Sequence, residues 1–123
     1  CAVIDQKEFS PPISAISIVD EYLEHSRIWF FHNDGVEEIY ISSADWMARN
    51  LDYRIETAVS IRDQKLKEEI KHILKIKLGD NVKARWLDRD LSNQYVSSAG
   101  KRIRSQEAVY HYLKRLPIAN RKG

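Results

Sequence analysis

The chain has 123 residues, 43% of them hydrophobic and 31% charged, with a mean hydropathy of -0.50 and a formal net charge of +2. That length supports one compact domain spanning 1–123, because cores divide only beyond about 250 residues, and no apolar run approaches the roughly 20 residues that a transmembrane helix needs. Twelve aromatic residues against four Gly and three Pro argue against disorder, and a single cysteine excludes both a disulfide framework and a cysteine zinc site.

The chain opens on Cys1 with no initiator Met and no secretory signal, which reads as a cut within a longer polypeptide rather than as a lipid-carrying mature terminus. After Pro11-Pro12, the residues Ile13, Ile16, Val19 and Leu23 recur at helical spacing, so a helix is expected over Ser14–His25 with His25 at its C-terminal end. The apolar Arg27–His32, the turn signal Asn33-Asp34-Gly35 and the run Glu37–Ser42 read as a β-hairpin. A polar and aromatic loop then extends to Tyr53, where Trp46 and Tyr53 suit anchoring, and Arg54–Ile61 alternates with the period of a half-buried strand.

Asp63 is placed to cap a helix whose Leu66, Ile70, Ile73, Leu74 and Leu78 share one face, with Gly79 to stop it. Asn81–Leu87 alternates again, and Ser105 opens a last helix with Ala108, Val109, Tyr112, Leu113 and Leu116 inward and Pro117 at its end. With no repeat or linker, the economical architecture is α/β, a mixed β-sheet flanked by helices. Charge is uneven along this order. From Lys101 onward seven basic residues face only Glu107, a net +6, which suits either a polyanion or a solvated basic helix.

The four glycines are too dispersed for a phosphate-binding Gly-rich loop. Among the histidines, His72 and His111 sit within periodic helices as boundary imidazoles, and His32 ends a strand. His25 differs, lying in the polar run Tyr22–Arg27 beside Glu24 and Arg27, whose charges push its proton affinity in opposite directions. In Ser42–Arg54, hydroxyls follow a strand and Arg49 and Arg54 stand among carboxylates. A guanidinium fork suits phosphate oxygens, while Asp45 and Asp52 equally suit local salt bridges.

The runs Tyr22–Ile28, Ile39–Met47, Arg49–Glu56, Val82–Arg85 and Leu91–Val96, in this order and spacing, resemble the C-terminal domain of bacterial polyphosphate kinase. That family resembles the phospholipase D superfamily in its two C-terminal domains, so a phospholipase D-like fold is implied. Against the superfamily's His-x-Lys-x4-Asp pattern, His25-Ser26-Arg27 carries Arg for Lys and Asp34 comes two residues late. Ser43 takes the place of the later phosphate-touching Ser, and Asp45 stands where that motif has Asn.

The resemblance implies an ATP:polyphosphate phosphotransferase, acting reversibly through a phosphohistidine on a histidine of a preceding domain absent from this chain. His25 is then the second histidine, assisting transfer, and Arg54, Arg27, Arg49 and Ser43 bind phosphate. ATP or ADP and inorganic polyphosphate are the implied substrates. Mg2+ and a nucleotide-binding arginine are expected in the preceding domain, so the isolated chain is expected to be inactive. A homodimer of the full polypeptide is implied, with no nucleic-acid partner and a cytoplasmic location reaching to the inner membrane face. Lys83, Arg85 and Lys101–Arg104 are expected along the polyphosphate route, on charge alone. The alternatives are a phospholipase D-type phosphodiesterase half-site and a non-enzymatic polyanion-binding module.

Overall fold

A computed structural model describes residues 8–117. In chain order the elements are β1 (Ile16–Ile18), β2 (Ile28–Phe31), β3 (Glu38–Ser42), α1 (Ala48–Tyr53), β4 (Ala58–Ser60), α2 (Gln64–Leu78), β5 (Ala84–Trp86) and α3 (Ser105–Arg115). The α/β class is the one expected, with the strands shared between two sheets, β1-β5 and β2-β3-β4, each antiparallel. The chain divides into two compact units, residues 24–71 and residues 8–23 with 72–117, the division falling within α2 between Lys71 and His72.

In the first unit the hairpin forms because Asn33, Asp34 and Gly35 all take positive φ, at 44°, 51° and 89°. Short polar residues and glycine tolerate that left-handed turn. β3 is central, pairing Trp29 with Tyr40 on one side and Tyr40 with Ser60 on the other. It contributes Ile39, which is fully buried. The first half of α2 is pinned to the start of β3 by Lys67, which donates to the Glu37 carbonyl, and by Lys71, which pairs with the Glu37 carboxylate, both at 2.8 Å. Asp63 caps this helix as expected, accepting from Leu66 N–H at 2.9 Å. Within the expected loop the chain winds one short helix, α1, and of the strand expected at Arg54–Ile61 only Ala58–Ser60 is strand, with Thr57 and Ile61 adding flanking backbone hydrogen bonds to Ser43 and Ile39. Trp46 sets its ring edge-on to Trp29, at 6.0 Å, but both it and Tyr53 are largely exposed, so neither is buried in the core as an anchor.

In the second unit the helix expected over Ser14–His25 is not formed. Ile16, Ser17 and Ile18 instead pair with Trp86, Arg85 and Ala84. The β-branched pair flanking Ser17 suits a pleated strand, and a partner far along the chain overrides the accidental helical spacing. The order's organiser is Asp80, fully buried just after Gly79. Its Oδ1 accepts the backbone N–H of Val82, Lys83 and Ala84 at 2.9, 2.7 and 3.0 Å, and its Oδ2 accepts Ser105 N–H at 2.7 Å. One carboxylate thereby wraps the entry to β5 and caps α3. Burial raises the proton affinity of this carboxyl, but the N–H groups of Lys83, Ser105 and Val82 win and hold it near 2.

Gly79 follows the last residue of α2, its N–H still donating to the Lys75 carbonyl at 3.0 Å, and a Cβ there would lie 3.1 Å from that oxygen. Along the helix, Ile70, Ile73 and Leu74 are half-buried, but Leu66 and Leu78, expected on the same inward face, are largely exposed. The inward set expected on α3 is half-buried throughout.

Candidate active site

The site is assembled by strand register. Ser42 N–H donates to the Arg27 carbonyl at 2.9 Å, so the end of β3 lies beside the residue that precedes β2. Ser42 Oγ then accepts Ala44 N–H at 3.0 Å, a local turn that delivers Asp45 to Arg27. Arg27 Nε donates to Asp45 Oδ1 at 2.6 Å and Nη2 to Oδ2 at 3.4 Å. His25, in the irregular stretch before β2 rather than at a helix end, closes the cluster, with Nε2 2.8 Å from Asp45 Oδ1 and Nδ1 3.1 Å from Arg27 Nη2.

This network assigns the tautomer. A guanidinium only donates, so His25 Nδ1 accepts, and the ring hydrogen sits on Nε2, donated to Asp45. The imidazole is preset as a donor at Nε2. Its side chain is 59% exposed, whereas Arg27 and Asp45 are 26% and 27% exposed, so an exposed imidazole directs its Nε2 hydrogen onto a more shielded ion pair. Arg27's hydrogen bond, then that of His25, holds the Asp45 carboxyl at about 2. Arg27 is in turn held more firmly protonated by Asp45.

A second carboxylate adjoins. Glu56 accepts from Ser43 Oγ in a short hydrogen bond and from Asn50 Nδ2 at 2.8 Å, and these two lower its proton affinity, with charge from Arg54 and Arg27 adding to them. Thr57 N–H also donates to Ser43 Oγ at 3.0 Å. The structure therefore brings His25 and Arg27 together and sets Ser43 on the neighbouring Glu56. Arg54 acts on Glu56 through charge, and among the described residues no hydrogen bond or ion pair draws Arg54 or the exposed Arg49 to His25.

Sequence reasoning placed Asp45 in a loop and missed that it grips both His25 and Arg27. Its position in the motif, and a carboxylate following two serines at a strand end, were the available signals. Glu56 and buried Asn50 were missed without one. Asp34 lies in the hairpin turn, at the opposite end of β2 from Arg27, roughly 13 Å along a four-residue strand. It takes no part in the cluster, and Asp45 supplies the carboxylate instead.

The expected basic route is altered too. Arg104 donates from Nε and Nη2 to Asp20 at 2.8 and 2.7 Å, and also to Glu21 and Glu107, which holds its proton still more tightly. Lys83 lies 3.7 Å from Asp20, and Arg85 stacks 4.5 Å over Tyr95 while donating to its hydroxyl. These three are structural in this chain. For Mg2+ the residues present do not fit. Among the described residues no three imidazole, thiol or carboxylate groups converge, and both Asp45 oxygens are spent on Arg27 and His25.

The sequence profile of the family described as polyphosphate kinase C-terminal domain 2 matches residues 1–106. The chain belongs to that family. The chain is 51% identical over 118 residues to the polyphosphate kinase of Klebsiella pneumoniae and 49% identical over 118 residues to that of Escherichia coli strain K12. Either alignment covers 94% of this chain and 17% of the relative, so the chain spans less than a fifth of the curated proteins it matches. The crystal structure of the Porphyromonas gingivalis polyphosphate kinase superposes with a TM-score of 0.86 at 50% identity, over 93% of this chain and 18% of that one. Among the described residues no helix is long and apolar enough to cross a membrane.

Proposed function

We propose that this chain is the C-terminal catalytic half-domain of an ATP:polyphosphate phosphotransferase. In that reading the ATP γ-phosphate passes to a histidine in a preceding part of the polypeptide and then reversibly to inorganic polyphosphate, and His25 assists the transfer. The observation that carries it is the His25-Arg27-Asp45 cluster, an exposed imidazole whose N–H is held by a carboxylate beside a guanidinium, in a chain of this family.

Phosphoryl transfer asks the protein chiefly for positioning and for positive charge around the moving group. An incoming phosphate oxygen competes with Asp45 for the His25 Nε2 hydrogen and meets Arg27 Nη1, which has no partner among the described residues. Asp45 keeps the imidazole hydrogen on Nε2, and the role this neutral ring offers is a hydrogen bond from Nε2 to a phosphate oxygen as charge develops on it, the proton staying on His25. Arg54 and Arg49, both exposed, are the further cations offered to phosphate oxygens, and Ser43 is held near them by Glu56. Any Mg2+ belongs to the preceding part, as do the nucleophilic histidine and the remaining nucleotide contacts. The isolated chain is therefore inactive. Homodimerisation of the full polypeptide and a cytoplasmic location follow from the same family reading.

The test is ATP-dependent polyphosphate formation by the full-length polypeptide. His25→Ala should lower it at least a hundredfold with the thermal midpoint nearly unchanged, since the ring is mostly solvent-exposed. Full activity in that variant would sink the role given to His25.

A further inference from the structure

We propose that the concavity formed by the second half of α2, residues 101–104 and α3 is a binding site for a condensed-phosphate anion. The identity of the anion rests on the polyphosphate reading above, and the site itself rests on the geometry of the second unit. The concavity encloses about 470 Å3 and is lined by His72 of α2, by Lys101 and Arg102, and by His111 and Arg115 of α3. All five are exposed. Among the described residues, the side chains of Lys101, Arg102 and Arg115 make no hydrogen bond or ion pair, so three cationic side chains line one hollow with no carboxylate paired to any of them.

Arg104 on the same wall shows what a satisfied cation looks like here, since Asp20, Glu21 and Glu107 occupy it. That arrangement also removes the lining's one carboxylate from competition, because Glu107 is held by Arg104 at 2.6 Å. The two imidazoles add N–H donors that suit phosphate oxygens. His72 and Tyr112 are already stacked on each other, with centroids 4.2 Å apart and planes at 28°. The aromatic pair in the lining is thus spent on itself rather than offered to a nucleobase. Concentrated cations with no reader of bases select an anion made only of phosphates.

The test uses the full-length polypeptide and sodium tripolyphosphate. Acetylation of lysine amines, read by mass spectrometry, should be slowed at least fivefold at Lys101 by the probe and left unchanged at Lys114, which is exposed outside this lining. In Arg102→Gln/Arg115→Gln, the same protection should need at least tenfold more probe. An unprotected Lys101 in the wild type, or an unchanged midpoint in the variant, would overturn the proposal. Equal protection by a single-stranded DNA oligonucleotide at matched ionic strength would overturn it in favour of a nucleic-acid surface. Loss of the kinase reading is separable: it would appear as a wild-type protein that forms no polyphosphate from ATP, whatever happens at Lys101.

Discussion

Asp45 and Asp80 are both held ionised down to about pH 2, by opposite means. Asp80 is fully buried and spends its oxygens on four backbone N–H groups, so its partners cannot leave without unwinding the entry to β5 and the start of α3. Asp45 is partly exposed and spends its oxygens on two side chains, His25 and Arg27, which can turn toward an incoming anion without disturbing a strand. A depressed carboxyl alone therefore does not tell the proposed site from a structural one; the two differ in whether the donors can exchange.

The sharpest way to break that contrast is at Asp80. Asp80→Asn keeps one oxygen for Val82, Lys83 and Ala84 but sets an amide nitrogen against Ser105 N–H, which leaves buried donors facing each other. We expect a loss of about 2–4 kcal/mol in urea unfolding. Unchanged stability would mean that the carboxylate is not the organiser of this unit.

Asp45→Asn should do the reverse. The full-length variant should fold with a thermal midpoint near that of the wild type, yet form polyphosphate at least tenfold more slowly, because an amide no longer holds the hydrogen on His25 Nε2. Its pH–rate profile should change shape, whereas a merely structural defect would scale the whole profile. Equal stability losses at positions 45 and 80 would erase the distinction.

Acid gives the smallest of these effects. A carboxyl depressed from 3.8 to about 2 stabilises the fold fully above its unfolded value and loses that contribution as pH falls through the folded one. Between pH 4 and pH 2 the wild type should lose about 2 kcal/mol through Asp80, a decline that Asp80→Asn lacks. Unfolding curves of the two proteins that run parallel across this window would contradict the assignment. Asp45 titrates over the same window, so acid and the two substitutions together apportion the decline.

Much of the secondary structure was legible because its causes are local. The hairpin follows from Asn33-Asp34-Gly35, α2 from the Asp63 cap and the Gly79 stop, and α3 from its apolar spacing. β1 was illegible because Ile13, Ile16, Val19 and Leu23 mimic a helix, while the residues that decide the matter, Ala84–Trp86, lie far along the chain. His25 and Arg27 stood out by residue type and by family likeness, and the structure joins them. Lys83 and Arg104 misled for the opposite reason: their charge is visible in the sequence, but not that Asp20 takes it up.

The family, the α/β class, the hairpin and the two long helices are legible in the amino-acid sequence alone, since these depend on residue type and short-range spacing. Only the tertiary structure decided which cations are free and which are spent, and which carboxylate orients an imidazole and which caps a helix. Those outcomes depend on strand register and on contacts between residues up to 84 positions apart, whose energies no local pattern encodes.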